Sequence, residues 1–117
     1  MTDMAKAIYE GNKEKGFWDQ PRNVGEMLML VVTELGEALE ALRKDRMSHP
    51  TVHVPEGHVI DKAMFEEFYK DTFEDEVADA LIRILDMCGG LGIDIEWHVS
   101  NKVAYNKQRE KLHGKKF

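Results

Sequence analysis

Apolar residues recur along this chain at helical spacing, and no stretch alternates with the two-residue period of a half-buried strand. From about Asp3 to Lys15, Met4, Ala7, Ile8 and Gly11 share one side of a first predicted helix. Gly16 breaks it, and the connector FWDQPRN carries Pro21 as a stop. Asn23 followed by Glu26 has the form of an N-cap with its reciprocal partner, opening one long helix, NVGEMLMLVVTELGEALEALRKD. Its main apolar face is Val24, Leu28, Val31, Val32, Leu35, Leu39 and Leu42. A flanking apolar set is Met27, Leu30, Ala38 and Ala41; Glu34 lies in it and Glu37 at its far edge. A helix apolar on more than one side is buried by several neighbours, and in a chain this short some of those belong to a second subunit. Gly36 is expected to permit close helix packing.

The stretch Met47 to Asp61 holds two prolines, a glycine and three histidines and reads as a long loop. A short helix is expected from Asp61 to Tyr69, with Met64, Phe65 and Phe68. The next strong helix is Thr72 to Cys88, with Thr72 and Asp75 in capping positions and a stripe of Phe73, Val77, Ala80, Leu81, Ile84 and Cys88. Gly89, Gly90 and Gly92 are expected to end it. Asp94 caps a last helix running to about Leu112. The expected architecture is an all-α bundle of about four main helices, with the long loop between the second and third.

At 117 residues the chain suits a single domain, 1–117, with a core of its own. No apolar run is long enough to span a bilayer, and MTDMAKAIYEGN lacks the apolar segment of a secretory signal. The single cysteine, Cys88, excludes an internal disulfide framework and a thiolate metal cluster built by one chain. A reducing cytoplasm is the expected location. The net charge of −6 argues against broad binding to nucleic acid or anionic membrane, although NKQREKLHGKKF at the C-terminal end is basic.

Two acidic pairs change this picture. Glu34-x-x-Glu37 and Glu76-x-x-Asp79 lie on two separate helices, and three-residue spacing puts both carboxylates of each pair on one side. Each pair stands in or beside an apolar stripe, where an ionised acid is costly unless a positive group meets it. Four convergent oxygens are what a hard divalent cation such as Mg²⁺ requires, with Mn²⁺ as a substitute. Taken singly, each pair is an ordinary surface acid motif; recurrence beside two packed stripes favours a metal site. On the last helix His98, Lys102, Asn106 and Arg109 follow i, i+4, i+8 and i+11 spacing and form one polar stripe. Lys and Arg suit phosphate oxygens, and the plain alternative is a solvated face. Trp18, on the connector, either stacks on a nucleobase or plugs the end of a bundle, whereas Trp97, with Ile93 and Ala104, reads as core. His49, His53 and His58 have irregular spacing and read as loop residues.

QPRNVGEMLMLVVTELGEALEALR, EDEVADALIRIL and NKVAYNKQRE, in that order, resemble the MazG-like all-α nucleotide pyrophosphatases, most nearly the branch containing dCTP pyrophosphatase. The blocks cover most of the chain from Trp18 to Arg109. The resemblance implies Mg²⁺-dependent cleavage of a nucleoside triphosphate to the monophosphate and pyrophosphate, in a homodimer or dimer of dimers with sites built between subunits. By position it implies Glu34, Glu37, Glu76 and Asp79 as metal ligands and Lys102, Asn106 and Arg109 on the phosphates or sugar. Trp18 falls near the family's base-pocket aromatic region. Asp19 and Gln20 stand where dCTP pyrophosphatases carry a histidine before Pro-Arg-Asn, so base preference stays open. Chemically, Glu37 is the candidate to take a proton from an attacking water, with Lys102 and Arg109 balancing charge on a leaving pyrophosphate. Two rival readings are a non-enzymatic helical interaction module and a di-iron carboxylate bundle. The latter is disfavoured because Glu110-x-x-His113 is the single Glu-x-x-His here.

Overall fold

Local side-chain to backbone bonds set where the helices begin. In the computed structural model, which describes residues 1–48 and 57–109, five helices and no strand are found among the described residues. They are α1 (Thr2–Glu14), α2 (Val24–Arg43), α3 (Lys62–Phe68), α4 (Phe73–Leu91) and α5 (Ile95–Lys107). The Asn23 side chain accepts from the Glu26 amide at the start of α2, and Asp61 accepts from the Met64 amide at the start of α3. Thr72 Oγ1 accepts from the Asp75 amide, and Asp94 accepts from the Trp97 amide. Each bond satisfies one of the amides that a helix start leaves unpaired. The protein is all-α, and among the described residues no helix is long and apolar enough to cross a membrane.

Two helix ends differ from expectation. α4 runs through Gly89 and Gly90 to Leu91, and it is Gly92, at φ +71°, that turns the chain away. Gly89 and Gly90 are helical because of packing. A Cβ on Gly89 would stand 2.7 Å from the Ala5 carbonyl oxygen, and one on Gly90 would stand 2.3 Å from the Trp18 ring. α5 ends at Lys107 rather than Leu112, and residues 110–117 lie outside the described part.

The chain packs as two compact units. The first comprises Met1–Gln20 and Leu85–Phe117. Its centre is the approach of Ala5 and Tyr9 to Gly89, with Leu85 and Cys88 almost fully buried. Trp18 donates its indole N–H to the buried Asp86 (2.9 Å) and meets Tyr9 edge-on at 5.2 Å. Thr2 donates to Asp94 (2.7 Å), which ties the start of α1 to the start of α5. That bond and the Trp97 amide hold the Asp94 carboxyl below its ordinary range. The buried residue of α1 is Ala5; of the expected Met4, Ala7, Ile8 and Gly11, Ile8 and Gly11 are half-buried and Met4 and Ala7 are exposed. Trp97, expected in the core, is 58% exposed, and no residue of α5 is buried.

The second unit, Pro21–Ile84, holds α2, α3 and the first part of α4. The Phe73 amide donates to the Arg46 carbonyl (2.8 Å), and the Ser48 amide and hydroxyl both donate to Glu74. These bonds pin the end of α2 to the beginning of α4. Further along, Arg83 of α4 reaches Glu34 of α2. Moving back along α2 therefore means moving forward along α4, and the two helices pack antiparallel.

The face of α2 that turns inward is the flanking apolar set, with Glu34 and joined by Val31, rather than the main apolar face. Met27, Val31, Glu34, Ala38 and Ala41 are buried, whereas Val24, Leu28, Val32, Leu35, Leu39 and Leu42 are each 42–53% exposed. The buried face thus carries the small Ala38 and Ala41 side chains, and the leucines lie outside. On α4 the same selection buries Glu76 and Ala80 and leaves Val77 and Leu81 exposed. Gly36 lies on the outer side, with nothing within 4 Å of a built Cβ, so it serves no close contact here.

Candidate metal centre

Antiparallel packing of α2 on α4 brings both acidic pairs to one place. One oxygen from each of Glu34, Glu76 and Asp79 lies within 4.8 Å of the others. Oxygens on opposite sides of an octahedral Mg²⁺ stand about 4 Å apart, so small side-chain adjustments would close this set around an ion. Glu37, one turn along α2 and exposed, hydrogen-bonds through its side chain to Glu76. All four sequence-predicted acids are thus gathered at one helix pair.

The electrostatics of this cluster are unfavourable as they stand. Glu34 and Glu76 are 8% and 7% exposed, and Asp79 is half-buried. Arg83 Nε donates to Glu34 Oε1 at 2.8 Å, compensating one of the charges. Glu76 is left worse placed, because its Oε2 is buried with no hydrogen-bond partner. Burial, the hydrogen bond with Glu37 and the charges of Glu37, Asp79 and Glu34 together push the Glu76 carboxyl up to about 7. Asp79 is raised by burial and then by the Asp75 and Glu34 charges, against an opposing pull from Arg83. The N-terminus of α4, with Glu74, Asp75 and Glu76 in its first turn, offers a partial positive charge that only partly offsets this crowding. A buried carboxylate with an idle oxygen among like charges suits a divalent cation, which would supply both the missing partner and the missing charge.

Sequence reasoning missed two further acids. Asp71 and Asp75 each place an oxygen within the same 4.8 Å limit of a Glu76 oxygen. The available signal was their spacing of one helical turn, Asp71-x-x-x-Asp75, immediately before Glu76. An open groove of about 620 Å³ adjoins these residues; Lys62, Phe65, Lys70, Asp71, Asp75 and Asp79 are among those lining it.

The other predicted residues belong to the first unit. Lys102 and Arg109 stand over the Tyr105 ring at 4.9 Å and 5.5 Å, and the Asn106 carbonyl accepts from the Arg109 amide. Trp18 spends its indole N–H on Asp86, a structural task in the first unit. His58 is exposed, whereas His49, His53, Glu110 and His113 lie outside the described residues.

No protein-family model, no curated protein and no solved structure matches this chain.

The raised Glu76 carboxyl has a consequence for stability. Glu76 holds its proton more tightly in the folded chain than at its ordinary value of 4.5, so between about pH 4.5 and 7 the folded state binds more protons than the unfolded one. Its contribution is therefore fully present below pH 4.5 and lost as pH rises through 7. The loss is on the order of 3 kcal/mol at most. In chelator, the melting temperature of wild type should fall across this window more steeply than that of Glu76→Gln. Parallel profiles for the two proteins would contradict the assignment.

Proposed function

We propose that this chain is a Mg²⁺-dependent nucleoside triphosphate pyrophosphohydrolase of the MazG-like four-helix type. It would convert a (d)NTP to the (d)NMP and pyrophosphate in the cytoplasm, with Mn²⁺ able to replace Mg²⁺. The observation that carries the reading is the convergence of Glu34, Glu76 and Asp79 from two helices around a buried, unpartnered Glu76 oxygen. The donor set is all oxygen, which suits a hard cation rather than a thiolate- or imidazole-seeking one.

Glu34, Glu76 and Asp79 would hold the cation, with Glu37 at the exposed edge of the set. When bound, the cation supplies charge neutralisation at phosphate oxygens and acidifies a bound water. Glu37, exposed at the edge of the set, would take the proton of the attacking water. The new bond joins the water oxygen to phosphorus, one phosphoanhydride bond breaks, and pyrophosphate carries away the electron pair. Arg83 orients Glu34 through its 2.8 Å bond. The roles of Lys102, Asn106 and Arg109 on phosphates or sugar, and of Trp18 on the base, rest on the resemblance.

The test is a panel of canonical and modified nucleoside triphosphates with Mg²⁺, reading pyrophosphate against phosphate release. Pyrophosphate is the expected product. Glu34→Ala, Glu37→Ala, Glu76→Ala and Asp79→Ala should each lower turnover by at least about a hundredfold while retaining helical content, as expected for loss of positioned acid–base or charge-stabilising groups. Wild-type rates in these variants, or no consumption of any triphosphate, would defeat the reading.

The expected homodimer or dimer of dimers is supported by the outer stripe of α2. Val24, Leu28, Val32, Leu35, Leu39 and Leu42 repeat every three or four residues and stay exposed, and Val77 and Leu81 on α4 are similarly exposed. Contiguous exposed apolar stripes of this kind mark contact surfaces. Sedimentation velocity should give a species at least twice the chain mass, and Leu35→Glu with Leu39→Glu should shift it toward monomer. A monomeric wild type would remove the oligomer from the proposal.

A further inference from the structure

The bond from Arg83 to Glu34 leaves most of the guanidinium unspent. Arg83 follows Asp79 by four residues on α4, so the two side chains share one side of the helix. Its Nε–H donates to Glu34 Oε1 of α2 at 2.8 Å, which places the guanidinium between the two helices' acids. Burial raises the Asp79 carboxyl, and the charge of Arg83 pulls it back, so the guanidinium acts on both acids. A guanidinium carries five N–H donors in one plane, and the Glu34 bond engages one of them. Among the described residues no acceptor meets the two Nη groups, and neither is withdrawn from solvent. The side chain as a whole is 39% exposed.

We propose that Arg83 binds substrate: anchored to Glu34 through Nε, it presents its open Nη edge to the phosphate oxygens of a polyphosphate held on the cation. The inference rests on the reading of Glu34, Glu76 and Asp79 as a cation site that acts on a nucleoside triphosphate.

Charge complementarity favours this occupant. Glu34, Glu37, Glu76 and Asp79 would together repel a polyphosphate, and Arg83 is the positive side chain bonded into their cluster among the described residues. Lys102 and Arg109 belong to the first unit, whereas Arg83 stands in the second unit with the acids themselves. Shape agrees with charge. The planar fork of an arginine matches two oxygens of one phosphate, and a side chain already fixed at Nε loses little freedom in meeting them. Arg83 takes part in no proton transfer, because a guanidinium stays protonated. Its part is donation alone, toward oxygens whose charge grows as the phosphoanhydride bond breaks. The plain alternative is a residue that orients Glu34 and nothing more, and the two roles differ in what they do to metal and phosphate affinity.

The experiment compares wild type with Arg83→Gln and Arg83→Lys on the full chain, by two binding measurements. Mn²⁺ alone is titrated with free ion read by electron paramagnetic resonance. Inorganic tripolyphosphate, which carries the phosphate charge without base or sugar, is then titrated calorimetrically at saturating Mg²⁺. Arg83→Gln should bind Mn²⁺ at least as tightly as wild type, because a positive charge beside the acids is gone. It should bind tripolyphosphate roughly ten- to a hundredfold more weakly, the size of a lost charge-assisted contact. Arg83→Lys should bind Mn²⁺ as wild type does and tripolyphosphate with intermediate affinity, since an ammonium keeps the charge without the fork. Circular dichroism checks each fold, and Arg83→Lys carries the comparison if Arg83→Gln unfolds. Equal losses of Mn²⁺ and tripolyphosphate affinity would reduce Arg83 to a support for Glu34 and overturn the inference, as would an unchanged tripolyphosphate affinity. A wild type that binds Mn²⁺ but no tripolyphosphate overturns it and leaves the cation site. A wild type that binds no Mn²⁺ removes the cation site and the role of Arg83 with it.

Discussion

The second unit is organised around a conflict between burial and charge at Glu76. Ala38 and Ala41 of α2 and Ala80 of α4 are buried, and Glu34 and Glu76 are carried out of water with them. Arg83 relieves Glu34 through a direct bond, whereas Glu76 keeps an idle buried oxygen and a carboxyl pushed up to about 7. A chain selected for stability alone would place a neutral or apolar residue there, since a buried acid with an unpaired oxygen among like charges is among the more expensive features a core can hold. Retaining it is understandable when a cation completes the site. Unfavourable charge in the metal-free chain and affinity for a divalent ion are then two descriptions of one arrangement.

The same packing decision leaves an apolar surface on the other side of the helix that carries the site. Turning the alanine-and-glutamate face of α2 inward leaves Val24, Leu28, Val32, Leu35, Leu39 and Leu42 outside. One helix thus carries the candidate metal ligands on one side and an exposed apolar stripe on the other. Rigidity of α2 would be set partly by what covers that outer stripe, so the spacing of Glu34 and Glu37 from Glu76 and Asp79 depends on a surface that takes no part in the chemistry. α5, with no buried residue and with Trp97, Val103 and Tyr105 exposed, has the same need for cover.

Much of this was legible in the sequence, for local reasons. Asn23, Asp61, Thr72 and Asp94 announce helix starts because each cap bonds to a backbone amide three residues ahead, within reach of any short-range reading. The recurring acid pairs pointed to their own convergence, because two amphipathic helices joined by a loop commonly pack antiparallel. What was not legible depended on the choice among partners. α2 is apolar on two sides, and periodicity cannot say which side meets α4; the face turned inward carries Ala38 and Ala41. Gly89 and Gly90 look like a helix end until Ala5, Tyr9 and Trp18 are seen to occupy the space a Cβ would fill. Asp75 escaped notice because its capping position already accounted for it.

Proton release on cation binding tests the central claim most directly. Just below neutral pH, a cation entering the Glu34, Glu76 and Asp79 set must displace the proton that Glu76 holds in the metal-free chain. Calorimetric titration of Mg²⁺ into the protein, repeated in two buffers of different ionisation enthalpy, reads that proton as a difference in apparent heat. The account predicts buffer-dependent heats equivalent to a substantial fraction of one proton per chain, shrinking as pH is raised and absent in Glu76→Gln. Binding with identical heats in both buffers, or no binding at all, would contradict it.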